Sequence, residues 1–110
     1  MRLHLIPTSK SMIYLAYLFA GAFLCNAIPH FVSGTQGRPF QTPFAKPRGV
    51  GLSPACLNIV WGGINLVLAY GLAYGIGNFE LAAPDQALAF AIGFLGMGFL
   101  VSRYFARFHG

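Results

Sequence analysis

Cys25 and Asn26 near the end of one apolar run, with His30 just beyond it, and Cys56 and Asn58 near the start of the next, are the residues of this chain whose types suit metal or haem chemistry. Thiolate and imidazole bind zinc, and a single histidine serves as an axial haem ligand. On two antiparallel helices these side chains would share one depth. A Cys₂His set still lacks a fourth ligand, and the spacing matches no metal-binding signature. His30, Cys25 and Cys56 are therefore weak metal candidates, and no cofactor is expected. Free cysteines more often act as small apolar residues, and a lone histidine near an interface is usually hydrogen-bonded.

Other chemistry is scarcer still. The only acids are Glu80 and Asp85, and neither lies within an apolar run. Small multidrug exporters have a similar length, but they couple to protons through a membrane-embedded carboxylate on one of four spans. This chain offers neither, so proton-coupled export has no residue to run on. No serine sits in a nucleophile elbow, and the histidines fall near the chain ends or the interface, so no enzyme is expected. Asn65 is the deepest polar residue, eleven positions past Pro54 and so about 16 Å into a core ~30 Å thick. An interhelical hydrogen bond worth about 0.6–2 kcal/mol is the expected role. The alternative is an oligomeric small-molecule or ion carrier with Asn58 and Asn65 lining its path.

Positioning these residues falls to three long apolar runs. Hydrophobic residues make up 56% of the chain and charged residues 8%, far below the quarter usual in soluble domains. The first run, Met12–Ile28, is uncharged, and Pro29 is expected to end it, or to kink it so that it continues to Val32. The second, Ala55–Ile76, matches the roughly 20 residues a bilayer requires. Ser53 is expected to cap it, with Pro54 at the first helical position. The third spans if it starts at Pro84 and ends near Tyr104, placing Asp85 and Arg103 to complement the helix dipole. Arg2 and Lys10 before an apolar stretch with Cys25-Asn26-Ala27 also suit a signal peptide. The stretch continues beyond that point, however, and a retained helix is expected.

Small residues predict how the helices meet, because packing in lipid relies on close backbone approach. The second helix carries Asn58, Gly62, Asn65, Ala69 and Ala73 on one stripe and Gly71 with Gly75 on another, which predicts that it lies centrally or meets another protein. The third offers Ala89, Gly93 and Gly96, and the first Ala16 and Ala20. Tyr14, Tyr17, Tyr70 and Tyr74 on one side, and Tyr104 and Phe108 on the other, are expected to form interfacial belts.

Between the first two spans lies "RPFQTPFAKPRGVGLSP", Arg38–Pro54, with three bases, no acid and two Pro-Phe pairs. A loop over 29–54 on the membrane interface would turn Phe40 and Phe44 toward lipid and Arg38, Lys46 and Arg48 toward phosphates or a partner. The net charge of +5 lies beside apolar runs rather than on a soluble basic face, so lipid and not nucleic acid is the expected counter-charge. Arg38, Lys46, Arg48, Arg103 and Arg107 share one membrane side, against Arg2 and Lys10 on the other. That excess favours the N-terminus outside and the C-terminus in the cytoplasm.

Within Asn26–Trp61, Pro29-His30-Phe31, Gly37, the run Thr42-Pro43-Phe44-Ala45-Lys46-Pro47, Gly49, Gly51-Leu52-Ser53, Asn58 and Trp61 resemble the pattern of a family of small uncharacterised bacterial integral membrane proteins. The likeness covers about a third of the chain. It implies a bacterial inner-membrane setting and marks the loop as the distinctive part, and it carries no activity, substrate or cofactor. The expectation is thus an all-α integral membrane protein, one membrane domain over 1–110. Its three transmembrane helices lie at about 12–28, 55–76 and 84–104. It is expected to act as an accessory or stabilising subunit of a larger membrane complex, with lipid, other subunits or itself as partner. A metal- or haem-binding redox accessory working through His30 is a further alternative.

Overall fold

The apolar runs form three helices, each long and apolar enough to cross a membrane, in a computed structural model that describes residues 9–109. Arg2, counted above in the charge balance, lies outside the described residues. Helix α1 spans Lys10–Thr35, and its first turn is capped by Ser9, whose hydroxyl accepts from the Met12 amide at 3.2 Å. Pro29 lies inside α1 and does not end it, so the helix outruns both expected exits. Proline removes only the amide that would serve the Cys25 carbonyl. The following turns are clamped against the second helix, where Gly62 lies against the Phe31 and Ala27 backbone and Gly34 against Ala55 and Ile59. The stop comes at Gly37 (φ +70), with the Arg38 amide donating to Ser33 O at 2.9 Å and the Gly37 amide to Gly34 O at 3.0 Å. This is a Schellman closure, which needs a left-handed residue that only glycine supplies cheaply.

Two short strands follow, β1 (Phe40–Gln41) and β2 (Leu52–Ser53), paired antiparallel with Phe40 opposite Ser53. Helix α2 covers Ala55–Tyr70 and continues through a π-helical turn at Gly71–Ile76. Pro54 is its N-cap residue, with no side-chain cap bond, because the Ser53 hydroxyl expected there is bonded to Thr42 Oγ1 instead. Helix α3 runs Pro84–His109, one turn past the expected end, with Asp85 in its first turn and Arg107 and His109 in its last.

The central helix is α1, not the second helix. It packs along both α2 and α3, which scarcely meet each other. The α1–α3 contact is a reciprocal pair of glycines: a Cβ on Gly21 would strike the Phe90 carbonyl, and one on Gly93 the Leu18 carbonyl. On α2 the stripe of Asn58, Gly62, Asn65, Ala69 and Ala73 is buried. Gly71 and Gly96 have open space where a side chain would stand, so neither takes part in packing within the chain. Gly75 is buried in the π turn and Ala89 half-buried. In α1, 39% of the apolar span is buried, against 6% in α3, which leaves α3 attached along one narrow stripe.

Candidate functional site

Asn58 organises the end of the bundle where the 36–54 loop lies. It is fully buried, and its Nδ2 donates to the carbonyls of Phe40, Ser53 and Pro54 at 3.1–3.3 Å. With its N–H groups so engaged, its Oδ1 is an acceptor, and His30 Nδ1, 2.9 Å away, must carry the proton. One amide thus joins α1, β1, β2 and the first turn of α2. The cost of burying these polar groups is offset because each has a partner.

Around this knot the loop folds into a cap. Thr42 is buried, bonds to Ser53 through its hydroxyl and receives the Phe44 amide at 3.2 Å and, on its carbonyl, the Gly49 amide at 3.1 Å. Gly49 (φ +73) makes the return turn, and its carbonyl accepts from the Tyr104 hydroxyl at 2.6 Å. His109 Nε2 donates to Gln41 Oε1 at 2.7 Å while its ring stacks on Phe40, centroids 4.8 Å apart and planes 5° from parallel. The end of α3 therefore holds the cap from one side and Asn58 from below.

Phe40 corrects the expectation of two phenylalanines turned to lipid. It is 9% exposed and packs on His30, Phe105 and His109, so it belongs to the core of the cap. Its backbone is fixed by pairing with Ser53 and by Asn58 Nδ2 on its carbonyl, and its ring meets the three rings on the inner side. Phe44 remains 54% exposed, edge-on to Trp61. Arg38, Lys46 and Arg48 are exposed on the cap's outer surface. Arg103 and Arg107 are exposed on the last turns of α3, with the Arg107 guanidinium over the rings of Tyr104 and Phe108. Among the described residues the bases of this end face no acidic side chain, since Glu80 and Asp85 lie by the first turn of α3.

At mid-bundle, Asn26 Nδ2 donates to Asn65 Oδ1 at 3.1 Å, and Asn65 Nδ2 to the Trp61 carbonyl at 2.8 Å. Both asparagines of α2 are thus engaged with the protein itself. The weak metal candidates part company: Cys25 is buried facing Gly98 of α3, Cys56 is exposed, and His30 is enclosed edge-on by Phe40, Trp61 and Phe105. Among the described residues no three His, Cys, Asp or Glu side chains converge.

Protein-family models, curated proteins and solved structures yield no match to this chain.

At the far end Tyr14 donates to the Asp85 carboxylate, and the Asn78 amide donates to the Tyr17 hydroxyl at 3.0 Å. Tyr17 is 2% exposed and lies under Gly77, so it is a core residue tying α1 to the α2–α3 turn and not part of an interfacial belt. Gln41 and His109, which sequence pattern assigns no role, prove central to the cap, as does Thr42, which entered only through the resemblance. The Pro39–Pro43 alternation signals an extended segment, but nothing local signals which partners it meets.

Proposed function

We propose that the protein is a non-enzymatic accessory or stabilising subunit of a larger membrane complex, with its basic cap docking on a partner or on anionic lipid. The observation that carries this reading is the contrast between the two surfaces of the molecule. The cap is internally bonded and presents Arg38, Phe44, Lys46 and Arg48 outward, while α3 offers a wide apolar face joined to the bundle along one stripe. Helix faces with open glycines, Gly71 and Gly96, permit close approach by another helix. A bacterial inner membrane, with the N-terminus outside and the cap in the cytoplasm, suits the excess of bases at the cap end.

The carrier reading asks Asn58 and Asn65 to face a path, and their amides are taken up by protein partners. The redox reading asks His30 to ligate, which would require moving three packed rings and breaking its bond to Asn58. Extraction in a gentle detergent, followed by co-purification and mass spectrometry, tests the proposal. A stoichiometric larger complex, weakened by Lys46→Glu with Arg48→Glu, is the expected result. A pure homo-oligomer indifferent to those charges would overturn it.

A further inference from the structure

Arg103 and Arg107 stand one turn apart on α3, and Tyr104 and Phe108 lie beside them on the same side of the helix. The Arg107 guanidinium covers both rings, 4.6 Å from the centroid of Tyr104 and 5.2 Å from that of Phe108. The Tyr104 hydroxyl donates to the Gly49 carbonyl at 2.6 Å, which fixes the residue next to Arg48 against the same part of the helix. Two bases of α3 and one of the cap are thus gathered around one tyrosine, and all three are exposed.

Gathering them is unfavourable by itself. Like charges one turn apart repel, and Arg48 adds a third. Among the described residues no acidic side chain offsets them. Asp85 precedes Arg103 by eighteen residues of one helix, about 27 Å at 1.5 Å each, and Glu80 comes before Asp85. An anion is the missing counter-charge, and the planar forks of arginine suit the paired oxygens of a phosphate.

The face below the arginines says which phosphate. Helical period sets Gly96 and Leu100 in one row with Arg103 and Arg107. Leu100 and its neighbour Phe99 are exposed, and Gly96 has open space where a side chain would stand. Only 6% of the apolar span of α3 is buried, so nothing in the chain covers this row. A ligand with a phosphate at one end and hydrocarbon behind it meets the whole row, whereas a soluble phosphate meets only its end. Tyr104 stands where the row turns from apolar to basic, the place an amphipathic ring takes at headgroup level.

We infer that Arg48, Arg103 and Arg107 form the phosphate site for an anionic phospholipid on the outer face of α3, with an acyl chain along Leu100 and Gly96. Phosphatidylcholine also has the phosphate, but it brings a quaternary ammonium toward three guanidinium groups. The inference rests on the membrane placement of the cap end proposed above, and it gives that end a ligand of stated chemistry.

The test is competition between phosphatidylglycerol and phosphatidylcholine in mixed detergent micelles, with bound lipid read by native mass spectrometry. Wild type should prefer phosphatidylglycerol by about fivefold for each base engaged. Arg48→Gln, Arg103→Gln and Arg107→Gln should each lower the ratio by about that factor. Tyr104→Phe releases Gly49 from the helix and should act like Arg48→Gln. Arg38→Gln is the control, because Arg38 leads into Phe40 and its stack with His109, on another face of α3. Its loss should leave the ratio within about twofold. The melting temperature without lipid should hold or rise in the two α3 variants, since each removes like-charge repulsion. Equal retention of the two lipids by wild type overturns the inference. So does an equal fall in every variant, Arg38→Gln included, which describes a diffuse basic surface. Displacement of the lipid by inorganic phosphate would make the site one for a soluble anion and overturn the lipid assignment. A partner that co-purifies without lipid preference would sink this inference alone. Selective lipid without any partner would sink only the subunit reading.

Discussion

His30 Nδ1 and Asn58 Oδ1 meet at 2.9 Å across the α1–α2 interface, and the same asparagine carries the cap on its other side. Replacing Asn58 by alanine leaves His30 Nδ1 without its partner and takes a donor from the carbonyls of Phe40 and Ser53, a loss of about 2–4 kcal/mol, while Pro54 O keeps the Leu57 and Asn58 amides. Asn58→Asp should be worse, because it sets a carboxylate against the carbonyls of Phe40, Ser53 and Pro54. Thermal unfolding in detergent should rank wild type above Asn58→Ala and that above Asn58→Asp. Equal melting temperatures would remove Asn58 from its organising place.

The glycines separate by position rather than by type. Gly93→Ala and Gly21→Ala each push a methyl into a facing carbonyl and should destabilise by about 1–3 kcal/mol. Gly96→Ala enters open space and should be neutral, or stabilising by up to about 1 kcal/mol through helix propensity. The same melting experiment distinguishes them, and a Gly96→Ala loss as large as that of Gly93→Ala would contradict the α1–α3 seam.

Tyr104→Phe removes the bond to the Gly49 carbonyl, worth about 1 kcal/mol, and keeps the ring. Its effect should be local: cleavage by trypsin after Arg48 speeds up while the melting temperature moves little. The Lys46–Pro47 bond resists trypsin in any case. Unchanged cleavage would show that the Tyr104 bond does not restrain the cap.

Asn26 and Asn65 form a second hydrogen bond between α1 and α2, at mid-bundle. A double-mutant cycle with Asn26→Ala and Asn65→Ala should return a coupling of about 0.6–2 kcal/mol. Because Asn65 also bonds to Trp61, its single replacement should cost more than that of Asn26.

Cys56 is exposed in the first turn of α2, whereas Cys25 is buried against α3. A maleimide should modify Cys56 first and Cys25 only on unfolding. With the cap in the cytoplasm, a membrane-impermeant maleimide should label Cys56 in intact cells only after permeabilisation. Labelling without permeabilisation would reverse the orientation.

The three spans were legible from residue order alone, because hydropathy and the absence of charge are properties of each segment taken separately. So was the role of Asn65, since a lone amide at that depth must find a partner nearby. The stripe on α2 was readable for the same reason, as helical period places Asn58, Gly62, Asn65, Ala69 and Ala73 on one side.

Other features depended on what lies across the gap, which no local pattern encodes. Pro29 alone marks a break, yet contacts of Gly34 and Gly62 between α1 and α2 hold the helix together beyond it. Two small-residue faces on α2 pointed to that helix as the central one or as one meeting another protein, yet Gly21 and Gly93 match in height and bring α3 onto α1, which lies between the other two. Phe40 and Phe44 are alike in sequence, each following a proline, and they part only because β1 pairs with β2 while α3 brings His109 over one ring. Segment chemistry determined that the chain forms three helices long and apolar enough to cross a membrane, and where they lie. Which faces meet, and that the loop folds into a bonded cap, was decided by long-range contacts, whose energy depends on pairs of residues distant in the chain.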